Sequence, residues 1–166
     1  MNDISTVTSG RPLIWRVDVR AQSIKLERVP DTWLRLGGRA LIARILVDEV
    51  PGTCEPLGDH NKLIFAPGLL VGHMLSSCDR ISIGGKSPLT NGVKEANAGG
   101  TTGLQLACLG IKALILESKP ASCEFWVLRF SPQGISFDQA DDLVGLGVFD
   151  AAPILLKRYG EKSAIA

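Results

Sequence analysis

Apolar and polar side chains alternate over Leu13-Ile-Trp-Arg-Val-Asp-Val19 and again over Ser23-Ile-Lys-Leu-Glu-Arg28. A period of two sends neighbouring side chains to opposite faces, so this pair, joined by Arg20-Ala-Gln22, predicts an opening hairpin with one wet face. The period then changes. Asp31, following Pro30, is placed to cap a first helical turn carrying Trp33, Leu34 and Leu36, which Gly37-Gly38 interrupts. A helix is predicted over Ala40 to Glu49, where Leu41, Ile42, Ile45 and Leu46 share one face and Arg39 and Arg44 reach water. Core packing accounts for that stripe. Pro51-Gly52 ends the helix, a polar loop runs through Asp59-His-Asn-Lys62, and the short apolar run Leu63-Ile-Phe-Ala66 predicts a buried strand closed by Pro67-Gly68.

The most unusual stretch runs from Arg80 to Gly103. Ile81 and Ile83 alternate with Arg80 and Ser82, which predicts a half-buried strand stopped by Pro88, because proline removes a backbone donor from the ladder. Asn97-Ala-Gly-Gly100 reads as flexible backbone whose N–H groups precede a helical run from Leu104 to Leu109, the arrangement of an anion seat. Cys108, within that run, is expected in the core. Lys112 to Glu117, Glu124 to Phe130 and Gly134 to Asp138 then predict successive strands. Asp150 is placed to cap a last helix presenting Ile154, Leu155 and Tyr159, with Pro153 near its start and Gly160 at its end. Ser163 to Ala166 reads as a strand cut short. The polar residues 1–12 lack the basic and apolar regions of a secretory signal and are expected to form a flexible leader to a domain over 13–166.

Composition narrows the function classes. The 166 residues are 45% hydrophobic and 21% charged with a formal net charge of +1. That balance suits a packed core and offers no electrostatic footprint for nucleic acid. No apolar run reaches the roughly 18 to 20 residues of a membrane span. Cys54, Cys78, Cys108 and Cys123 stand apart from one another without a C-x-x-C pair. Free thiols in the cytoplasm are the reading, and neither His60 nor His73 has metal-ligand spacing to a partner.

Most candidate chemistry is rejected on spacing. Gly85-Lys86-Ser87 resembles the end of a phosphate loop, but the first glycine of G-x-x-x-x-G-K-[ST] would fall at Arg80, and Pro88 obstructs the helix that should follow. No nucleophile elbow, H-E-x-x-H helix or dinucleotide glycine pattern occurs. What remains is a binding surface: Arg80 at the start of a strand, Lys86-Ser87 at its end and Asn97 before the glycines. A guanidinium can meet a phosphate with paired donors, and an asparagine oxygen suits a hard cation such as Mg²⁺. The alternative is a glycine-rich turn beside a surface arginine.

Taken together, Gly37-Gly-Arg-Ala-Leu-Ile-Ala43, Asp48-Glu-Val-Pro51, Asn61-Lys-Leu-Ile-Phe-Ala66, Lys86-Ser-Pro-Leu-Thr90 and Ala96-Asn-Ala-Gly-Gly100 resemble, in order and spacing, the N-terminal domain of the tungsten-containing aldehyde ferredoxin oxidoreductases. The resemblance implies an α+β fold of two similar β-rich repeats with intervening helices, the second incomplete here, forming a base for a bis-molybdopterin carrying tungsten or molybdenum. It implies cofactor-binding roles for Arg80, Asn97 and Gly99, with the Asn97 backbone oxygen holding a bridging Mg²⁺. No catalytic residue is expected in this chain. The implied reaction oxidises an aldehyde to a carboxylate, with electrons leaving through a [4Fe–4S] cluster to ferredoxin. That cluster's cysteines are expected only in C-terminal domains absent from these residues, so the chain alone is expected to be inactive and to need those domains or a partner subunit.

Several positions depart from the family pattern. Gly68-Leu-Leu-Val-Gly72 replaces the usual Gly-Pro-Leu-Thr-Gly, Cys78-Asp79 stands where small residues are usual, and Thr101-Thr102 replaces an aromatic pair, with Gln105 following in place of an acidic residue. A non-catalytic remnant or assembly module keeping the fold without metal is the second reading, and a phosphate-ligand binding protein is the third. An unfinished repeat would also leave a strand edge and apolar surface open, which favours a homodimer.

Overall fold

The computed structural model describes residues 11–166, so most of the expected leader lies outside the described residues. The chain divides into two compact units, Met1–Ala121 and Ser122–Ala166.

The first unit is built on a six-stranded sheet in the order β2-β1-β6-β3-β4-β5. The predicted hairpin is present as β1 (Leu13–Asp18) and β2 (Ser23–Arg28). It is joined by β3 (Lys62–Pro67), β4 (Ile81–Lys86), β5 (Val93–Ala98) and β6 (Ile111–Glu117). β1 runs parallel to β6 and every other pairing is antiparallel. β1 has no wet face. Because β6 returns to its free edge it becomes an inner strand, and Ile14, Trp15 and Val17 are all fully buried. β4 likewise is buried along both faces rather than half-buried, with β3 and β5 on its two sides.

Helix α1 (Gly38–Glu49) covers one face. Its stripe Leu41, Ile42, Ile45 and Leu46 packs with Ile14, Ile64, Ala66, Ala113, Ile115 and Trp33 into one core. Burial of side chains this size contributes about 1.5–3 kcal/mol each, which makes this stripe the main support of the unit. The Trp33 indole N–H donates to Asp48 at 2.8 Å and so ties the preceding turn to the helix. That turn, Asp31–Trp33, is a 3₁₀ turn without a side-chain cap, so the expected Asp31 cap does not form. A short helix α2 (Thr102–Cys108) lies on the opposite face, as shown by Gly103, whose Cβ position would be 3.5 Å from Cβ of Ile81. Gly103 and Leu106 are its buried residues, which leaves Cys108 exposed instead of in the core.

At the C-terminal end of α1 a group of charges closes the same face. Arg16 donates through Nε to Glu27 at 2.6 Å, through Nη2 and Nη1 to Glu49 at 2.5 and 2.8 Å, and through Nη1 to Glu117 at 3.3 Å. Lys62 Nζ lies 2.6 Å from Glu117 and 3.6 Å from Glu49. Burial would lower the Arg16 pKa, but its bonds to Glu49 and Glu27 outweigh burial and raise it. A cation is also well placed beside the negative end of a helix.

The second unit consists of the hairpin β7 (Trp126–Ser131) and β8 (Gly134–Gln139), the 3₁₀ turn Asp141–Leu143 and helix α3 (Val148–Tyr159). Element for element this repeats the opening of the first unit, where a hairpin of two six-residue strands, a three-residue 3₁₀ turn and a twelve-residue helix follow in the same order. α3 is the last element among the described residues. Asp150 sits inside the first turn of α3, where its N–H donates to the Gly147 carbonyl, so it is not the cap. Pro153 lies well inside the helix rather than near its start. Gly160 ends the helix at φ +99°, a conformation that favours glycine. The Tyr159 hydroxyl donates to Asp138 at 2.7 Å, tying α3 to β8. Ser163 to Ala166 forms no strand.

Candidate functional site

β4 and β5 bring the sequence-predicted residues together. Val93 to Ala98 forms an edge strand in place of the expected flexible backbone, so Asn97 is held in a ladder directly opposite Ser82. Its composition concealed it: Lys94, Glu95 and Asn97 are poor strand formers, tolerated because an edge strand leaves one side in water. The anion seat expected from backbone N–H groups before α2 gives way to a side-chain cluster, since α2 is a seven-residue helix beginning after Thr101.

Arg80 enters the cluster from a fixed backbone. Its N–H donates to Cys78 at 2.8 Å, and its carbonyl accepts from Gly68 N at 3.0 Å. Gly103 lies so close to that carbonyl that a Cβ there would be 3.2 Å away. The loop leading to it is tied by the Gly72 N–H to Asp79 Oδ1 at 3.3 Å and by the Cys78 thiol, which lies 3.2 Å from the Leu70 carbonyl. The departures from the family pattern at Cys78 and Asp79 therefore supply side chains that tie the loop leading to Arg80.

The Arg80 side chain is exposed, and its Nε donates a short hydrogen bond to Asn97 Oδ1. Asn97 Nδ2 in turn donates to Ser82 Oγ at 3.2 Å, and the Ser82 hydroxyl donates to Glu95 Oε1 at 2.6 Å. Ser82 is buried beneath the start of α1, where Gly38, at φ +53°, would place a Cβ 3.4 Å from its Oγ. Among the described residues the two terminal guanidinium nitrogens of Arg80 bond to no protein group. They are the donors that can meet a ligand anion. Gly99 lies beside them: a Cβ at that residue would be 3.6 Å from Nη1, in ordinary contact.

Lys86 does not join this surface. It is buried, and its ammonium donates to the carbonyls of Gly52 and Cys54, each at 2.6 Å. Asn61 completes the junction by accepting from the Lys86 N–H at 3.0 Å and donating to the Pro56 and Lys86 carbonyls. Lys86 therefore clamps the loop after α1, while the Ser87 hydroxyl caps the turn that follows by accepting from Leu89 and Thr90. We expect Lys86→Met to cost about 2–3 kcal/mol in denaturant unfolding, because it leaves two carbonyls without a charged donor, while anion binding at Arg80 stays unchanged. His60 and His73 are exposed and lie outside the cluster.

A groove of about 550 Å³ opens elsewhere, lined among others by Leu63, Ile83, Ala96 and Leu116. Ile83 and Ala96 alternate with Ser82 and Asn97 along their strands, so this groove lies on the opposite face from the polar cluster. Lys94 and Lys119 also line it, and neither Arg80 nor Asn97 does.

Arg80, Asn97 and Gly99 are the expected residues, and Ser82 and Glu95, which hydrogen bonds join to Arg80 and Asn97, are not among them. The available signal was the i, i+2 spacing of Glu95 and Asn97, which places both on one face once the segment is recognised as a strand. No helix among the described residues is long and apolar enough to cross a membrane.

The chain is 31% identical over 154 residues to the tungsten-containing aldehyde ferredoxin oxidoreductase of Pyrococcus furiosus, a match covering 91% of this chain and 25% of that protein. A protein of the same name from Thermococcus kodakarensis is 33% identical over 106 residues, covering 63% of this chain and 18% of the relative. The WOR-like subunit of the aliphatic sulfonate oxidoreductase of Pyrococcus furiosus is 28% identical over 151 residues, covering 88% and 24%. Among solved structures, the BamBC active site complex of benzoyl coenzyme A reductase, in complex with 1,5 dienoyl-CoA, superimposes with a TM-score of 0.82 at 32% identity, over 89% of this chain and 22% of that one. The chain thus spans about a quarter of the length of the first of these relatives. The family model for the aldehyde ferredoxin oxidoreductase N-terminal domain matches residues 14–166, and the chain belongs to that oxidoreductase family.

Proposed function

We propose that this chain forms one side of the seat for a tungsten or molybdenum bis-molybdopterin in an enzyme that oxidises aldehydes to carboxylates. The observation that carries the reading is the Arg80 guanidinium, steadied through Nε by Asn97 and left with its terminal nitrogens open beside Gly99. These residues fit an anionic cofactor. The donors are cationic, they stand at the surface, and the absent Cβ at Gly99 leaves room for a ligand atom to approach. Both ends of the Asn97 amide are engaged by protein, and the family resemblance assigns its main-chain oxygen to a bridging Mg²⁺.

When bound, the metal–pterin group would supply the redox chemistry, and electrons would pass through a [4Fe–4S] cluster to ferredoxin. The chain's own residues bind and orient: Arg80 neutralises negative charge, Asn97 fixes the arginine plane, and Gly99 admits the ligand. The cluster, the substrate pocket and the contacts to the other pterin would come from C-terminal domains or a partner subunit, with the complete enzyme in the cytoplasm, while this chain by itself would pair through its open strand edge as a homodimer.

Metal analysis of the native complex containing this chain tests the reading. Tungsten or molybdenum together with pterin is the expected result. Their absence would replace it with a non-catalytic module that keeps the fold. Arg80→Ala is expected to lower cofactor retention about tenfold, as loss of a charged hydrogen bond to an anion implies. Stability should change by no more than about 0.5 kcal/mol, since the side chain is exposed.

A further inference from the structure

The hydrogen bonds around Arg80 have a direction, and that direction is set at Glu95. A carboxylate only accepts, so the Ser82 hydroxyl, 2.6 Å from Glu95 Oε1, spends its single proton there. Ser82 Oγ can then only accept from its other neighbour. The group 3.2 Å away must be the Asn97 NH₂, which turns Oδ1 of the same amide toward Arg80 Nε. The opposite orientation would set two donors against each other at the Arg80 end of the amide and leave two acceptors facing at the Ser82 end.

We infer that Glu95 and Ser82 are positioning residues for the ligand-binding arginine. Through the Asn97 amide they hold the guanidinium by Nε and leave its two terminal nitrogens for an anion of the phosphate class. The inference rests on the anion-holding role proposed for Arg80 and adds residues that the resemblance did not supply.

Several features of the fold serve this chain of bonds. β5 pairs with β4 so that Asn97 stands opposite Ser82 and Glu95 opposite Gly84. Ser82 is only 1% exposed, so water does not compete for its proton. Gly38 admits the start of α1 over Ser82 without displacing its oxygen. The arrangement has the logic of an outer-layer partner that sets the orientation of a ligand-contacting group, as in metal sites where the residue behind the ligand fixes its tautomer.

The isosteric substitution Glu95→Gln separates direction from shape. Glutamine can donate as well as accept, so the Ser82 proton is released to turn toward Asn97, and the amide is free to flip. The experiment uses the full chain with isotope-labelled arginine and asparagine, and inorganic pyrophosphate as the probe. Solvent exchange of the Arg80 Nε–H is read by NMR without ligand, and pyrophosphate affinity is read by titration.

In the parent protein the Nε–H should exchange slowly. Glu95→Gln and Ser82→Ala should each speed that exchange and weaken pyrophosphate binding by about fivefold, the effect of losing one weak hydrogen bond. Glu95→Asp, which keeps an acceptor-only group, should retain part of the protection. Parent-like exchange and affinity in Glu95→Gln would overturn the positioning role, whatever Arg80 does. Unchanged pyrophosphate binding in Arg80→Ala would instead overturn the anion seat itself. The two failures are therefore distinguishable.

Discussion

Replacing Arg16 with methionine should lower the unfolding free energy of the chain by about 2–3 kcal/mol at neutral pH. Breaking a fully buried ion pair by removing one partner costs about 3–5 kcal/mol. Here Arg16 is well covered while Glu27, Glu49 and Glu117 keep about a quarter of their surface, so water recovers part of the loss. Without the guanidinium, these carboxylates face one another with Lys62, and Lys25 at the rim, as the remaining cations.

The pH dependence gives the prediction a second arm. Burial works to raise the Glu27 pKa, but hydrogen bonds from Arg16 and Lys25 outweigh it and hold the carboxyl below its ordinary 4.5. A depressed folded pKa contributes stability that is fully present above the unfolded value and is lost as pH falls through the folded one. The parent protein should therefore lose stability below about pH 4.5. In Arg16→Met the Glu27 carboxyl loses the hydrogen bond that does most to lower its pKa, so its share of this acid-dependent loss shrinks. The gap between the two proteins should narrow on acidification, and urea unfolding across that range would measure it. A gap that stays constant with pH would show that the loss comes from packing of the arginine stem, not from charge.

Gly84→Ala should cost about 2–3 kcal/mol and loosen the functional cluster at the same time. A Cβ there would stand 2.6 Å from the Lys94 carbonyl and 3.0 Å from Cγ2 of Ile42. One of these contacts is backbone of the neighbouring strand and the other a fully buried side chain of α1, so neither can move alone. Overpacking of this kind typically costs about 1–3 kcal/mol, and the clash on both sides puts this case at the upper end.

The strain should be relieved where the fold is least supported, at the edge strand β5. That strand carries Glu95 and Asn97, so exchange of β5 amides should rise more than exchange of the α1 amides that pack on β3 and β4. Hydrogen exchange would show this. Equal protection of β5 in both proteins would mean that the helix, not the edge strand, yields.

Elements with a strong period are legible in the sequence alone. The alternation of Leu13 to Asp18 and Ser23 to Arg28 and the stripe Leu41, Ile42, Ile45 and Leu46 each predict one element, because the period of the backbone and the demand for a buried face coincide. The resemblance implies two similar β-rich repeats, and the second unit repeats the order hairpin, 3₁₀ turn and helix that opens the first. Weakly patterned stretches are not legible in this way. Val93 to Ala98 lacks apolar alternation, and only pairing with β4 makes it a strand. Cys108 shares an apolar run with Leu104 and Leu106, yet α2 turns it outward, since a seven-residue helix buries a single stripe.

The candidate site divides along the same line. Arg80 and Asn97 can be singled out from their types and order in the chain, because a forked cation and an amide have chemistry that needs no coordinates, while Gly99 enters only through the family resemblance. Lys86 carries the same chemical promise, and only the tertiary structure turns it inward to the Gly52 and Cys54 carbonyls. Ser82 and Glu95 show the reverse. They have no individual signal, and acquire a role when antiparallel pairing places residues far apart in sequence across one face. Side-chain chemistry and local period are properties of residue type and spacing. Which charge is buried, which strand pairs and which donor faces which acceptor depend on contacts between distant segments, and those exist only once the sheet has closed.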